Sequence, residues 1–499
     1  MKQSLKQKRC TNSKNNNKNK MNKSLRYMCL LSLGLVAAPN TWANSYPDVR
    51  SMFEAIRPDA PVIAPDINAV ILAIDALPTE QQKNKAYSTL APRTDLSLIA
   101  TSDSANRAFV KRLNRRLLEI KTQTGVSSGD DWDDIFDDED EAETTTGAST
   151  ATPAADKPKK ASTPKSEPKK TTNSNVLADE DLPLEPELDE NEPGKHNFSF
   201  SKPEPEPEEV EAVLDPDKGV WFKIYGSETA QKNRDNIYGY DATLLGGFLG
   251  RDWLVNDNTV IGVAAGYAQA DIDSRGPSGT YMDTKRLSGS IYGYYNFPSG
   301  LYTMGIITLA HNDYDNVRKI LVPPVGGFGV STIAHADFSA WESYVHVEFG
   351  YDWQCKNWTV QPKIFSSFTH LNVESYQEMD AFAYNLNVRN HNIDNLLLGG
   401  GFLTEYHYKF KRATVAPFMH AYVMYDFLKD KQTTLSNFQG GGYNFLTQGA
   451  VPGGTTFEVG GGLSLHSYKD VMFDLQYDFA TRSGLIRNTV SLKLRYQWA

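Results

Sequence analysis

The residue types that carry out catalysis or bind metals are present in this chain, but not at the spacings that such chemistry needs. The 499 residues include nine His and three Cys. They contain neither a His-Glu-x-x-His zinc helix nor a Gly-x-Ser-x-Gly nucleophile elbow. His311 and Asp313 could act as a general base and its partner, but a His beside an Asp in a loop is more often a solvated pair. We therefore predict that the chain is not an enzyme, with a hydrolase as the less favoured alternative.

Acidic and glycine-rich segments do not predict a ligand site either. Asp130–Glu143 lacks the Gly at the sixth position and the spaced ligands of an EF-hand loop. No helix pattern follows the glycine clusters at 399–401 and 460–462, as a nucleotide-binding loop requires. Glycine that relieves crowding on a curved sheet is the better explanation. The sequence thus predicts no metal and no cofactor.

Charge is concentrated in one part of the chain. Residues 125–217 contain 27 acidic and 8 basic residues, a net charge of −19, and 11 Pro, whereas the whole chain has a net charge of −10. Few apolar residues and strong self-repulsion cannot offset the entropy lost on folding. These residues are predicted to be a disordered acidic linker rich in Pro and Glu. Because the imbalance of charge is acidic and lies in this one segment, nucleic acid is not an expected partner.

The N-terminus has the pattern of an export signal. Lys23 and Arg26 precede the apolar run Cys29–Ala38, and small side chains follow at 41 and 43. Residues 1–43 are therefore predicted to be a signal peptide that is cleaved between Ala43 and Asn44. Within it, residues 1–20 are either an extended basic region or follow an unused start codon.

Residues 44–124 are predicted to be helical. In the last helix, expected over 104–121 with Ser104 as N-cap, the apolar residues Phe109, Leu113 and Leu117 recur every four positions. The opposite face is cationic and consists of Lys111, Arg112, Arg115 and Arg116. Two interpretations remain open: an element of a small helical bundle, or a helix inside a wet lumen lined by acidic partners.

Residues 218–499 alternate between apolar and polar side chains. The alternation is clearest at the end, where the apolar phase consists of Val490, Leu492, Leu494, Tyr496 and Trp498. Twelve such segments occur, near or above the 9–11 residues with which a tilted strand crosses a bilayer. Short connections alternate with long ones, such as 312–330, 374–385 and 429–442. The predicted fold is all-β in this region, a twelve-stranded antiparallel transmembrane β-barrel. The expected strand starts are Gly219, Tyr238, Thr259, Thr280, Gly300, Ser331, Asn357, Leu386, Arg412, Gly442, Asp470 and Leu485.

This pattern resembles the type V secretion autotransporters. The similar features are Val220-Trp221-Phe222 with Tyr225-Gly226, the segment Tyr238–Gly250, the helix around Phe109, and the closing alternation that ends at Trp498. The sequence departs from that family in its final residue, Ala499, in the lack of a long passenger, and in the acidic insert before the first strand. The insert directly precedes the first strand, which favours the periplasm as its location.

The resemblance implies an outer-membrane translocator or surface-display anchor of a Gram-negative bacterium, with a vestigial passenger at 44–124. Its implied partners are the lipid bilayer, periplasmic chaperones and the barrel-insertion machinery, which would read Val490–Trp498 as a β-signal. The alternative function is an outer-membrane adhesin that binds through its long loops. The sequence identifies no surface ligand.

Overall fold

The computed structural model describes residues 46–94, 97–111, 113, 219–235, 237–325, 327–410, 413–428, 431–451, 453–467 and 471–497. Several predictions concern residues outside these ranges: the signal peptide (1–43) with Ala43 and Asn44, the acidic linker (125–217), and the residues Arg112, Arg115, Arg116 and Trp498.

Five helices precede twelve long strands. The helices are α1 (Val49–Ile56), α2 (Ala60–Ile63), α3 (Pro65–Asp75), α4 (Glu80–Leu90) and α5 (Ser97–Val110). The strands are β1 (Gly219–Gln231), β2 (Tyr240–Asn256), β3 (Thr259–Ser274), β4 (Tyr281–Asn296), β5 (Leu301–Val325), β6 (Phe328–Tyr351), β7 (Trp358–Val373), β8 (His391–Tyr406), β9 (Ala413–Asp426), β10 (Thr455–Ser467), β11 (Val471–Arg482) and β12 (Leu485–Gln497). Among the described residues, none of the helices is both long and apolar enough to cross a membrane.

The twelve strands form a closed antiparallel barrel. Each strand pairs with the next one along the chain. The last strand pairs back with the first, so that Gly219 lies opposite Gln497 and Gln231 lies opposite Leu485. Closure leaves no strand edge with unpaired backbone groups, which is the condition for crossing a bilayer with strands. The predicted twelve-stranded barrel is confirmed.

The side chains of the barrel wall are distributed in the opposite way to those of a soluble protein. Outward positions hold exposed apolar residues, such as Ile261, Val263 and Tyr267 on β3. Inward positions hold buried charged residues, among them Arg286 and Glu342, which are 4% and 2% exposed. An apolar outer surface around a polar lumen is the arrangement of an outer-membrane barrel.

The two ends of the barrel differ in their connections. At one end, the turn end, strands are joined through 257–258, 297–300, 352–357, 407–412 and 468–470, and β1 begins and β12 finishes there. At the other, the loop end, they are joined through 232–239, 275–280, 326–327, 374–390, 427–454 and 483–484. The predicted loop at 312–330 is wrong: β5 continues to Val325 and turns directly into β6. The strands β5 and β6 extend beyond their neighbours at the loop end, where they form a raised hairpin.

Two barrel strands begin later in the sequence than predicted, because short strands of another sheet precede them. The segments expected at Leu386 and Gly442 start at His391 and Thr455 instead. Between the barrel strands, four short strands form a separate sheet at the loop end, termed the loop sheet. Its strands are Tyr376–Gln377, Leu386–Val388, Thr433–Phe438 and Phe445–Gln448. Their alternation is also that of a half-buried strand, so the pattern alone could not assign them to a different sheet.

Helices α1–α4 lie over the loop end. Residues 46–94, termed the cap, share one apolar core with the loop sheet and the raised β5–β6 hairpin. In that core Phe53 of α1 packs on Phe438 with ring centroids 5.8 Å apart. Burial also raises the pKa of the nearby Tyr87 hydroxyl above its ordinary value. Because one core joins cap and barrel, the cap is an integral part of the loop end.

Arg318 of β5 fastens the cap at one buried position. Its guanidinium donates to the Glu378 carboxylate, to the carbonyl oxygen of Thr89 at 2.8 Å and to the carbonyl oxygen of Tyr384 at 2.9 Å. Thr89 lies in the last turn of α4, where carbonyl oxygens lack helical partners. A cation of the barrel wall thus donates a hydrogen bond to a carbonyl oxygen at the end of a cap helix.

Candidate functional site in the barrel lumen

Helix α5 occupies the lumen and runs from the loop end towards the turn end. Its first turn belongs to a buried cluster with Tyr240 and Ile272, which lie at the loop-end termini of β2 and β3. Its last turn packs with Trp221, which lies near the start of β1 at the turn end. Fourteen helical residues span roughly 21 Å at 1.5 Å per residue. The chain therefore passes through the barrel between the cap and residue 113.

The predicted start of this helix is wrong. Ser104 lies in its middle rather than at its N-cap, and the Ser104 hydroxyl donates to the carbonyl oxygen of Ala100 at 2.7 Å. The helix begins at Ser97 and its last described helical residue is Val110. Ser is a weak helix former on its own, but nearly every residue of α5 is buried, and enclosure by the barrel overrides that propensity. Residues 114–121 lie outside the described ranges.

One side of α5 packs on aromatic side chains of the wall. Phe109 has ring-centroid distances of 4.9 Å to Phe248, 6.0 Å to Tyr292 and 6.1 Å to Trp221. Ala105 and Ala108 belong to the same buried cluster, and Leu113 packs against it. Small side chains let the helix approach the wall closely, and the aromatic rings fill the remaining space. The predicted apolar stripe thus faces the strands β1, β2 and β4.

The other side of α5 carries charges that pair with strands β10–β12. Lys111 Nζ lies 3.1 Å from Glu458 Oε1 and 2.8 Å from Asp478 Oδ2. Arg107 donates to the other oxygen of Glu458. On the same face, Asp103 pairs with Arg487 at 2.9 Å. The prediction that Lys111 belongs to a cationic face is consistent with these contacts, whereas the roles of Asp103 and Arg107 were missed.

A second polar network holds the middle of the helix. Asn106 Nδ2 donates to Glu342 at 2.6 Å, and Arg286 donates to Asn106 Oδ1 at 2.9 Å. Arg286 and Glu342 also form a direct ion pair at 3.1 Å between β4 and β6. All three side chains are buried. Because Asn106 both donates and accepts, it adds one hydrogen bond to each member of an ion pair that the wall already forms.

Lys223 of β1 caps the end of α5. Its ammonium donates to the carbonyl oxygen of Ala108 and to that of Lys111, the latter at 3.1 Å. The last carbonyls of a helix have no partner within the helix, and a cation is favourable there because of the helix dipole. Lys223 is only 3% exposed. The barrel wall therefore fixes the helix along its axis as well as around it.

One group of side chains in the lumen could in principle bind a metal ion. Ligand atoms of His420, Glu458 and Asp478 lie within 4.8 Å of one another. The ammonium group of Lys111, however, lies between the two carboxylates and takes the position that a metal cation would need. Arg107 adds a second positive charge at Glu458. In this arrangement the group binds cationic side chains of the helix.

His311 does not lie in the lumen. It lies on the outward face of β5, and its ring packs against that of Trp341 in a tilted arrangement, with centroids 4.7 Å apart. Its Nε2 atom is 3.1 Å from Asp313. Trp341 is 57% exposed, so the pair is on the outer wall and away from the lumen cavity beside α5. This location favours a surface role for His311.

The last strand has the outward phase that the sequence predicted. Val490, Leu494 and Tyr496 are exposed on the outer wall. Between them, Arg495 points inward and binds Asp252 of β2 at 2.9 Å. Leu492 is part of the same outward row and is half-buried. Whether these residues act as a β-signal stays a prediction.

Known proteins match the barrel region. The family model described as Autotransporter beta-domain matches residues 220–478. Outer membrane protein B of Rickettsia typhi is 24% identical over 288 residues, which cover 57% of this chain and 18% of that protein. Outer membrane protein A of Rickettsia conorii is 25% identical over 291 residues, covering 56% of this chain and 14% of that protein. The translocator domain of the autotransporter NalP from Neisseria meningitidis gives a TM-score of 0.45 at 10% identity, covering 56% of this chain and 88% of that one. This chain thus spans less than a fifth of the length of these two Rickettsia relatives.

Proposed function

Because the chain belongs to the autotransporter β-domain family, we propose that it carries its own N-terminal segment across the outer membrane and holds that segment over the outer opening of its barrel. The observation that carries this proposal is the path of the chain. Residues 46–94 lie at the loop end, α5 passes through the lumen, and β1 begins at the turn end. Passage of the N-terminal segment from the periplasm through the barrel accounts for this arrangement.

The orientation follows from the connections. In barrels of the outer membrane the short turns face the periplasm and the longer loops face outward. The cap then lies on the cell surface. Residues 113 and 219 both lie towards the turn end, and on that ground we propose that the acidic linker between them is periplasmic. Residues 44–124 correspond to a short passenger with a lumen helix, and 218–499 to the translocator barrel.

Export and insertion complete the proposal. Cleavage between Ala43 and Asn44 would leave a mature N-terminus two residues before Tyr46. Tyr46 pairs with the loop sheet, where its N–H donates to the carbonyl oxygen of Asn444 at 2.9 Å. Periplasmic chaperones and the barrel-insertion machinery are the proposed partners, with Val490–Trp498 as the segment that the machinery reads. We also propose that the lumen helix seals the barrel after transport.

Labelling with thiol reagents in intact cells tests this topology. Cys355 is free and exposed in a connection at the turn end. Lys85 is exposed on the cap. In a Cys355→Ser background, Lys85→Cys should react with a bulky maleimide that cannot cross the outer membrane. Cys355 of the unmodified chain should react only after the outer membrane is permeabilised.

A third variant places a thiol in the linker, Glu190→Cys with Cys355→Ser, and should behave like Cys355. Labelling of Cys355 in intact cells, or protection of Lys85→Cys, would refute the proposed orientation. Labelling of the linker alone would leave the orientation of the barrel in place and refute the periplasmic location of the linker.

Adhesion is a second candidate function, favoured by one feature of the cap and the adjoining 374–390 connection. Val62, Leu72 and Phe382 are apolar and are 85%, 47% and 83% exposed. Phe382 also has a φ of 53°, a backbone conformation that costs a non-glycine residue free energy and often occurs at functional sites. Exposed apolar side chains on the outermost surface favour a binding surface.

Replacing Val62 and Phe382 by Ser tests the adhesin hypothesis. Burying one such side chain in an interface contributes roughly 1.5–3 kcal/mol, so attachment of cells that display the chain should fall at least about tenfold. Lys85→Ser is the matched control on the same cap and should attach normally. Equal attachment of both variants to the cells or surface tested would remove this candidate.

A further inference from the structure

A groove interrupts the outer wall of the barrel near the turn end. Its volume is about 700 Å³. Leu301 of β5, Phe349 and Tyr351 of β6, and Pro362 and Ile364 of β7 contribute to its walls. Leu301, Phe349 and Ile364 are 51%, 52% and 62% exposed. The groove therefore opens on the lipid-facing surface of the barrel.

The groove lies at a short interruption of the pairing between β6 and β7. β6 pairs with β7 up to Gly350, opposite Lys363. Pairing resumes only between Trp353 and Val360. Pro362, in the gap, has no N–H to donate to a neighbouring strand. The hydrogen-bond ladder between the two strands is thus interrupted for two residues at the position of the groove, and it resumes in the same register.

Two glycines lie in the wall beneath the groove. A Cβ atom on Gly350 would lie 2.4 Å from the ring of Tyr302. The Tyr302 ring therefore fills the lumen side of this position and closes the bottom of the groove. Gly401 of β8 also lines the groove, and its own Cβ would lie 2.0 Å from the carbonyl oxygen of Ala421. A side chain at either position would collide with atoms already present in the wall, so both positions beneath the groove are restricted to glycine.

We propose that this groove binds one acyl chain of a phospholipid from the periplasmic leaflet. The groove continues directly into the apolar outer surface of the barrel, where the bilayer supplies acyl chains as the available apolar partners. Its volume lies within the roughly 300–1,000 Å³ of sites that enclose small ligands. The assignment to the periplasmic leaflet rests on the proposed orientation, because the groove is at the turn end.

Native mass spectrometry of the full chain, purified from membranes and washed in mild detergent, tests this binding. The unmodified chain should keep one phospholipid. Ile364→Trp and Leu301→Trp each place an indole in the groove and should reduce the retained lipid at least about tenfold, the effect of 1.4 kcal/mol. Leu475→Trp makes the same kind of change on the outward face of β11, where Leu475 is 45% exposed, and should keep the lipid.

The outcomes separate this inference from the proposed topology. Equal retention in all four proteins, or no retention in the unmodified chain, would show annular lipid only and overturn the binding site. Retention of lipopolysaccharide or of a protein partner at this position would overturn the ligand assignment. Thiol labelling measures orientation independently, so either result can fail without the other. The shift in electrophoretic mobility on heating shows whether each variant has folded. If one of the two groove variants does not fold, the other still tests the site.

Discussion

Deleting the cap together with helix α5, residues 46–113, should convert a sealed barrel into an ion-conducting pore. Deleting the cap alone, residues 46–94, should leave the barrel closed. A helix with its side chains is about 10–12 Å in diameter, so its removal opens a passage of that order. Barrels of eight strands are filled by their own side chains and those of sixteen or more enclose a channel, which places twelve strands between these limits. Single-channel recordings in planar bilayers measure the difference.

The comparison assigns the seal to one element. A deletion of equal length to the cap within the linker, residues 130–178, is the control and should stay closed. If deletion of 46–94 gives the same conductance as deletion of 46–113, the cap is the seal and α5 is not. If deletion of 46–113 gives no conductance, side chains of the wall close the lumen without the helix.

The barrel could be predicted from sequence because each strand is long and its alternation is one-sided. Gly219, Thr259 and Leu485 were expected as strand starts and are the first residues of β1, β3 and β12. The prediction failed at the loop end, where Leu386–Val388 alternates like a barrel strand and belongs to the loop sheet. Alternation reports that a strand has two different faces, but not which sheet it joins.

The lumen site could be predicted only in part. The cationic residue Lys111 was visible from the helical periodicity, but its partners Glu458 and Asp478 are more than 340 residues away in the sequence. Two signals could have found more of the site. Asp103, Arg107 and Lys111 recur every four residues and so share one face of a helix. Charged residues at inward positions of β10 and β11 also indicate that groups of opposite charge must lie in the lumen.

The contacts of α5 explain why a helix of ordinary composition stays in the lumen. Its apolar side rests on aromatic rings of β1, β2 and β4, while its charged side is bound by β10–β12. Lys223 holds its C-terminal carbonyls. The cap shares its core with the loop end and prevents movement in the other direction. The charged contacts are the part of this arrangement that a single substitution can remove without changing shape.

Glu458→Gln should therefore loosen the helix more than any other isosteric change in the lumen. The Glu458 carboxylate is 1% exposed and pairs with Arg107 and Lys111. Its neutralisation leaves Lys111 with Asp478 as its remaining close carboxylate and removes the carboxylate that pairs with Arg107. Breaking a buried pair from one side costs about 3–5 kcal/mol. Water in the adjacent lumen cavity would lessen this cost, so we take the lower end, which corresponds to about a hundredfold rise in the open fraction.

Glu348→Gln is the matched control, because Glu348 is equally buried in the lumen but pairs with Lys363 of the wall at 3.1 Å. It should leave the open fraction unchanged in the same single-channel recordings. Adding Arg107→Gln to Glu458→Gln removes one of the uncompensated cations and should restore much of the closure, as a double-mutant cycle would report. Equal opening in Glu458→Gln and Glu348→Gln would mean that general polarity of the lumen, rather than the ion pairs of the helix, keeps it closed. No opening in either variant would assign the seal to the aromatic contacts of Phe109.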